Sequence, residues 1–153
     1  DFRTDFEETG ATVNVSDLPQ IEGSVVQLQE VFHNLIGNAI KYRRKDVPLS
    51  ITISGELADE AKLDLENALS NEIHRTMCTI KIADNGTGMR EANYERIFRP
   101  FERLVSYEKV EGSGLGLAIV SRIVERHQGT ISVESVLDEG STFIMKLPAQ
   151  HAR

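Results

Sequence analysis

At 153 residues the chain is long enough for one domain that buries most of the surface its unfolded form exposes. A hydrophobic share of 40% and a charged share of 27% exclude a disordered or fibrous protein. The net charge of -7 excludes a general nucleic-acid surface, whose affinity comes from Lys and Arg on phosphates, but not a local triphosphate site.

The opening residues 1–8 read as the end of a helix cut from something longer, with Gly10 as its stop. They have neither the basic flank nor the apolar stretch of a secretory signal, and no apolar run in the chain approaches the roughly eighteen residues of a membrane span. A cytoplasmic protein without direct membrane contact is therefore expected. Residues 11–15 alternate weakly as one strand before the turn-like Ser16-Asp17-Leu18-Pro19. Ser24 and Gln27 form a capping-box signature ahead of a helix expected from Val25 to about Tyr42. Leu28, Val31, Phe32, Leu35, Ala39 and Ile40 make its apolar stripe.

Leu49, Ile51 and Ile53 alternate like a strand, as do Cys78, Ile80 and Ile82, and the two are expected to pair. Cys78 is the sole cysteine, which excludes an internal disulfide and a cysteine-rich zinc site and leaves a small core residue as the plain reading. Between these strands residues 55–76 are compatible with an extra helix, a long hairpin end or a mobile insertion. Residues 92–98 read as a short helix ended by Pro100, and a polar loop follows. Helical spacing returns from Leu115, with Leu117, Val120, Val124 and His127 on one face and Gly129 placed to end the helix. Residues 130–135 and 141–147 alternate as two strands around Asp138-Glu139-Gly140.

Three constellations carry chemistry. Glu30, Asn34, Asn38 and Lys41 are spaced four, four and three, so they share one polar stripe of the long helix. An amide oxygen suits Mg²⁺ and a lysine suits phosphate, although a solvated helix face has the same composition. Asp84-Asn85-Gly86-Thr87-Gly88 follows an apolar strand, where the glycines permit a sharp turn and the carboxylate can accept a bond from an exocyclic amine such as that of adenine. A plain strand-ending turn uses the same residues. Gly112-Ser113-Gly114-Leu115-Gly116-Leu117 opens a helix whose free N–H groups can face a phosphate. No apolar strand enters it and no Lys-Ser/Thr ends it, which argues against a dinucleotide fold and a P-loop.

In this order the motifs resemble the histidine kinase branch of the GHKL superfamily. His33-Asn34-Leu35-Ile36-Gly37-Asn38-Ala39-Ile40-Lys41-Tyr42 is similar to the N box, and residues 84–89 to the first glycine box. Phe98-Arg99-Pro100-Phe101-Glu102-Arg103 is similar to the F box, and residues 112–117 to the second glycine box. The resemblance covers residues 23–147 and is specific because four motifs agree in order and spacing; residues 55–76 depart from it. It implies an α/β sandwich, a mixed, largely antiparallel sheet with helices on one face, forming a single catalytic ATP-binding domain over residues 1–153.

It further implies that ATP and Mg²⁺ are bound, with Asn38 on the metal, Asp84 on adenine and Thr142 near it, and Lys41, Tyr42 and Arg103 near the phosphates. Gly86, Gly88, Gly112, Gly114, Leu115, Gly116 and Leu117 would line the nucleotide, with a mobile lid between Phe101 and Gly114. Asn34, Asn38, Lys41 and Arg103 form the expected catalytic set. The γ-phosphate would pass to a histidine on a dimerisation and phosphoacceptor domain of the same kinase, absent from this sequence, and thence to a response regulator.

His33 is not the phosphoacceptor by this match, and His74, His127 and His151 lack partners at metal-ligand spacing and read as structural or incidental. Hydrolytic members carry Glu where this chain has Asn34, and an amide is no general base, so transfer is favoured over hydrolysis. That residue and the missing transducer domain disfavour a chaperone or topoisomerase-like ATPase. A nucleotide-binding module without transfer remains the alternative. Residues 101–104 and 123–127 look like kinases attached to photoreceptor or related sensor domains.

Overall fold

A computed structural model describes residues 6–8, 10–63, 72–100 and 115–150. Five strands form one sheet in the order β1-β2-β3-β5-β4. They are β1 (Thr12–Val15), β2 (Ser50–Leu63), β3 (Glu72–Asp84), β4 (Thr130–Val136) and β5 (Gly140–Pro148). β1 runs parallel to β2, and every other pairing is antiparallel. The two long helices are α1 (Val25–Lys41) and α2 (Gly116–Arg126).

The alternation of the strands explains the single core. Ile51 and Ile53 on β2, Ile80 and Ile82 on β3, Val133 on β4 and Phe143, Met145 and Leu147 on β5 are buried, while the intervening Thr52, Lys81 and Lys146 are exposed. Val31, Leu35, Ala39 and Ile40 of α1 and Val120, Ile123 and Val124 of α2 complete one cluster with those strands. Leu28 and Phe32, also expected on the stripe, are half-buried against it. The mixed sheet with helices over its apolar face is the architecture expected.

β2 and β3 continue in register from Ile51↔Asp84 out to Leu63↔Glu72, so the described part of residues 55–76 is a hairpin end. β1 covers β2 only as far as Ile53, and β5 covers β3 only from Met77 onward. The outer hairpin is thus a two-stranded ribbon.

One local expectation changes and another gains a second reason. Residues 92–98 are not one helix but two single 3-10 turns, Glu91–Asn93 and Arg96–Phe98. Tyr94 lies between them, its hydroxyl donating to Ser135 O (2.6 Å) and accepting from Ser135 N–H (2.8 Å), while Ile97 is buried in the core. These tertiary ties fix a run too short to profit from helix propagation. At the end of α2, Gln128 takes the left-handed conformation (φ 62°), and Gly129 N–H donates to Val124 O, closing a Schellman motif. Gly129 is required for a different reason: a Cβ there would lie 2.3 Å from Lys146 O on β5.

Candidate functional site

The site forms where the C-terminal end of α1, the end of β3 and the start of α2 converge. Ser24 caps α1, its Oγ accepting from Gln27 N–H (3.2 Å) as the capping signature requires. After seventeen helical residues α1 ends at its C-cap Tyr42, whose N–H donates to Asn38 O. Tyr42 O then accepts from Thr87 N–H (2.9 Å), and a Cβ at Gly86 would lie 2.8 Å from the same carbonyl oxygen. The first glycine-rich turn therefore docks on the end of α1 through backbone, and only glycine permits that approach at residue 86.

Asp84 is the last residue of β3. Its Oδ1 accepts from Gly86 N–H (2.9 Å) and from Ser141 N–H (3.3 Å) on β5. Among the described residues no hydrogen bond reaches Oδ2, which leaves an acceptor for a ligand amine. Burial pushes the Asp84 carboxyl above the ordinary carboxylate range, and the two backbone donors oppose that rise without cancelling it. Thr142 pairs with Ala83, one step along the same ladder, and is half-buried.

Asn85 anchors the turn from below. Its Oδ1 accepts from Ser50 N–H (2.8 Å), its Nδ2 donates to Pro48 O (3.0 Å), and its carbonyl accepts from Arg44 Nε (2.9 Å). Gly88 has φ 65°, and a Cβ there would lie 2.0 Å from Val136 O. Asp138 N–H donates to Thr87 O (2.6 Å), so the β4–β5 turn closes over the glycine turn.

The two asparagines of α1 differ. Asn34 Nδ2 donates to Glu30 O (2.9 Å), and a Cβ at Gly116 would lie 3.0 Å from Asn34 Oδ1, so the start of α2 rests on this amide. Asn38 is half-buried and its side chain makes no hydrogen bond among the described residues. Its amide oxygen is thus available as a hard ligand and fits Mg²⁺, which takes few protein ligands and shares the rest with phosphates and water. Lys41 is exposed at the last helical position, and Glu30 is exposed one turn before Asn34. Leu115 caps α2 with no side-chain hydrogen bond at its N-terminus; Leu117 packs on the core. Arg103, Gly112, Gly114 and the expected lid, 101–114, lie outside the described residues.

The structure thus brings Asn34, Asn38, Tyr42, Asp84, Gly86 and Gly116 into one region. Sequence reasoning missed Ser141, Asn85 and Gly140. Ser141 is visible only once the β3–β5 register places it opposite Asp84, and Gly140 only once its Cβ is seen to meet Asp84 O at 2.0 Å.

Residues 23–151 match the family described as histidine kinase-, DNA gyrase B-, and HSP90-like ATPase. The chain belongs to this ATPase family. The GHKL resemblance read from the four boxes is met by this match. Among similar proteins is the phytochrome-like protein Cph1 of Synechocystis sp., 37% identical over 93% of this chain and 17% of its own length. Another is the adaptive-response sensory kinase SasA of Synechococcus sp. (strain JA-3-3Ab), 34% identical over 86% of this chain and 30% of its own length. The chain therefore spans well under half the length of either relative. A mycobacterial sensor histidine kinase, MprB, shares the fold with a TM-score of 0.73 at 21% identity, over 96% of this chain and 88% of that one.

Proposed function

We propose that this domain binds Mg·ATP and presents its γ-phosphate to a histidine on a dimerisation and phosphoacceptor domain outside the chain, as the catalytic part of a two-component sensor kinase. The observation that carries the reading is the convergence of three sequence-distant segments. Tyr42 O is shared by the Gly86-Thr87 turn, and Asn34 Oδ1 meets Gly116. Such a convergence has no evident purpose in a plain turn and a solvated helix face.

In this reading the Oδ2 of Asp84 accepts from the adenine amine, with Thr142 beside it. Asn38 holds Mg²⁺, which would neutralise charge on the phosphates when bound. Lys41, Tyr42 and Arg103 lie along those phosphates, and the start of α2, which has no side-chain cap, faces them. An imidazole nitrogen of the acceptor attacks the γ-phosphorus, the bond to the β,γ-bridging oxygen breaks, ADP leaves and the imidazole proton is lost. Asn34 supplies no base for water, which favours transfer over hydrolysis. The phosphoryl group then passes to a response regulator, which with ATP locates the domain in the cytoplasm.

The test is ATP titration with and without Mg²⁺, followed by transfer to a supplied phosphoacceptor domain. Asn38→Ala is expected to abolish Mg²⁺-dependent transfer while leaving the thermal melt unchanged, since the amide makes no internal bond to lose. Full Mg²⁺-dependent transfer by Asn38→Ala would overturn the metal assignment. Nucleotide binding by the wild-type chain with no transfer to any acceptor would instead support a regulated binding module.

A further inference from the structure

A capping box has two arms: the N-cap side chain accepts from the N3 backbone, and the N3 side chain reaches back to the N-cap N–H. Here only the first arm is local. Ser24 Oγ accepts from Gln27 N–H, but Ser24 N–H donates to His127 Nε2 (3.1 Å), across 103 residues. His127 is 6% exposed, and its Nδ1 lies 2.9 Å from Ile123 O, a carbonyl that can only accept. The two bonds together require the proton on Nδ1 and a bare Nε2. Gly23 leaves room for the ring, since a Cβ there would lie 3.0 Å from His127 Cδ2 and 3.2 Å from Nε2.

The ring therefore joins the N-terminus of α1 to the C-terminus of α2. At the opposite end of α2, Gly116 rests on Asn34 Oδ1. We propose that His127 is a positioning residue, a strut of fixed tautomer that sets how far α2 slides along α1 and so seats Gly116 against Asn34 at the phosphate end of the site. The functional half of this inference rests on the nucleotide site described above. Eleven residues separate the strut from that end, about 16 Å at 1.5 Å per residue, so the strut has no contact with the ligand.

The mechanical half is testable without nucleotide. Nitrogen-15 NMR of the wild-type chain near neutral pH should show His127 protonated on Nδ1 and not on Nε2; a proton on Nε2 overturns the proposal. His127→Phe keeps a ring but leaves the Ser24 N–H and the Ile123 carbonyl without it. The amide signals of residues 115–117 and the Asn34 side-chain amide should then shift, and affinity for Mg·ATP should fall at least about tenfold. His127→Gln, whose amide offers both an acceptor and a donor, should restore the signals and bring affinity to within about threefold of wild type.

Gly23→Ala, which displaces the ring without removing it, provides a milder variant should His127→Phe fail to fold. It should move the same distant signals in the same direction. Changes confined to residues near Ser24 and His127, or affinities unaltered in folded variants, would overturn the strut. If the wild-type chain fails to bind Mg·ATP, the proposed nucleotide site fails, and the signals at residues 115–117 still decide whether the strut exists.

Discussion

In the proposed function Asp84 sets adenine recognition against stability. Burial raises its carboxyl above the ordinary range despite the Gly86 and Ser141 donors, so its charge at neutral pH costs folding free energy. That cost is full above the folded-state value and is relieved as pH falls through it toward the ordinary value. Asp84→Asn is therefore expected to melt no lower than wild type, while binding ATP at least about tenfold more weakly and inorganic triphosphate unchanged. Equal losses for both ligands in parallel titrations would refute adenine recognition. For the same reason, ATP affinity should begin to fall on acidification at a higher pH than an ordinary carboxylate would give. At Gly88 the strain is steric: φ is 65° and a Cβ would collide with Val136 O. Gly88→Ala should cost about 1–3 kcal/mol or more, read as a lowered melting temperature.

Between strands, coverage sorts structure from extension. The pairing of β2 with β1 ends at Ile53 and that of β3 with β5 at Met77, and Thr76 O still accepts from Ala149 N–H. Beyond Asp59 and Thr76, whose side chains are hydrogen-bonded at 2.8 Å, the described strand residues of the ribbon pair with each other and with no further strand among the described residues. Its link to the sheet there is the ion pair of Glu60 with Lys146 at 3.8 Å, both about half exposed and so worth little. Replacing residues 60–75 by a short turn should leave ATP affinity within about twofold and the fold cooperative. A molten thermal transition after that deletion would show that the ribbon contributes to the core. α1 shows the converse: its apolar stripe and cap were plain in the sequence because both depend on residues three or four positions apart.

At the scale of the molecule, the proposed function makes the destination of the γ-phosphate depend on how α1 meets α2. Asn34 gives its Nδ2 to Glu30 O and its Oδ1 to the approach of Gly116, so it is both a seat for α2 and the place where hydrolytic relatives carry Glu. Asn34→Glu should raise phosphate release relative to transfer, measured side by side on one preparation. An unchanged ratio would mean the new carboxylate does not reach a water near the γ-phosphate.

Much of this was legible beforehand. The N box, the Asp84 turn and the helix at Val25–Lys41 are local patterns, and the alternation of Ile51 with Ile53 and of Ile80 with Ile82 fixed which strand faces are buried. Local periodicity and capping act over a few residues, so a linear sequence displays them. The remaining decisions are made between segments that the sequence keeps apart. Ser141 reaches Asp84 across 57 residues because of strand register, and His127 replaces the side chain of Gln27 at the Ser24 N–H across 103. Gly129 ends α2 as its position suggested, but that a side chain there would meet Lys146 O on β5 shows only in the fold. Hydrogen-bond partners and steric clearances of this kind depend on which backbones pack side by side, and only the folded chain brings them together.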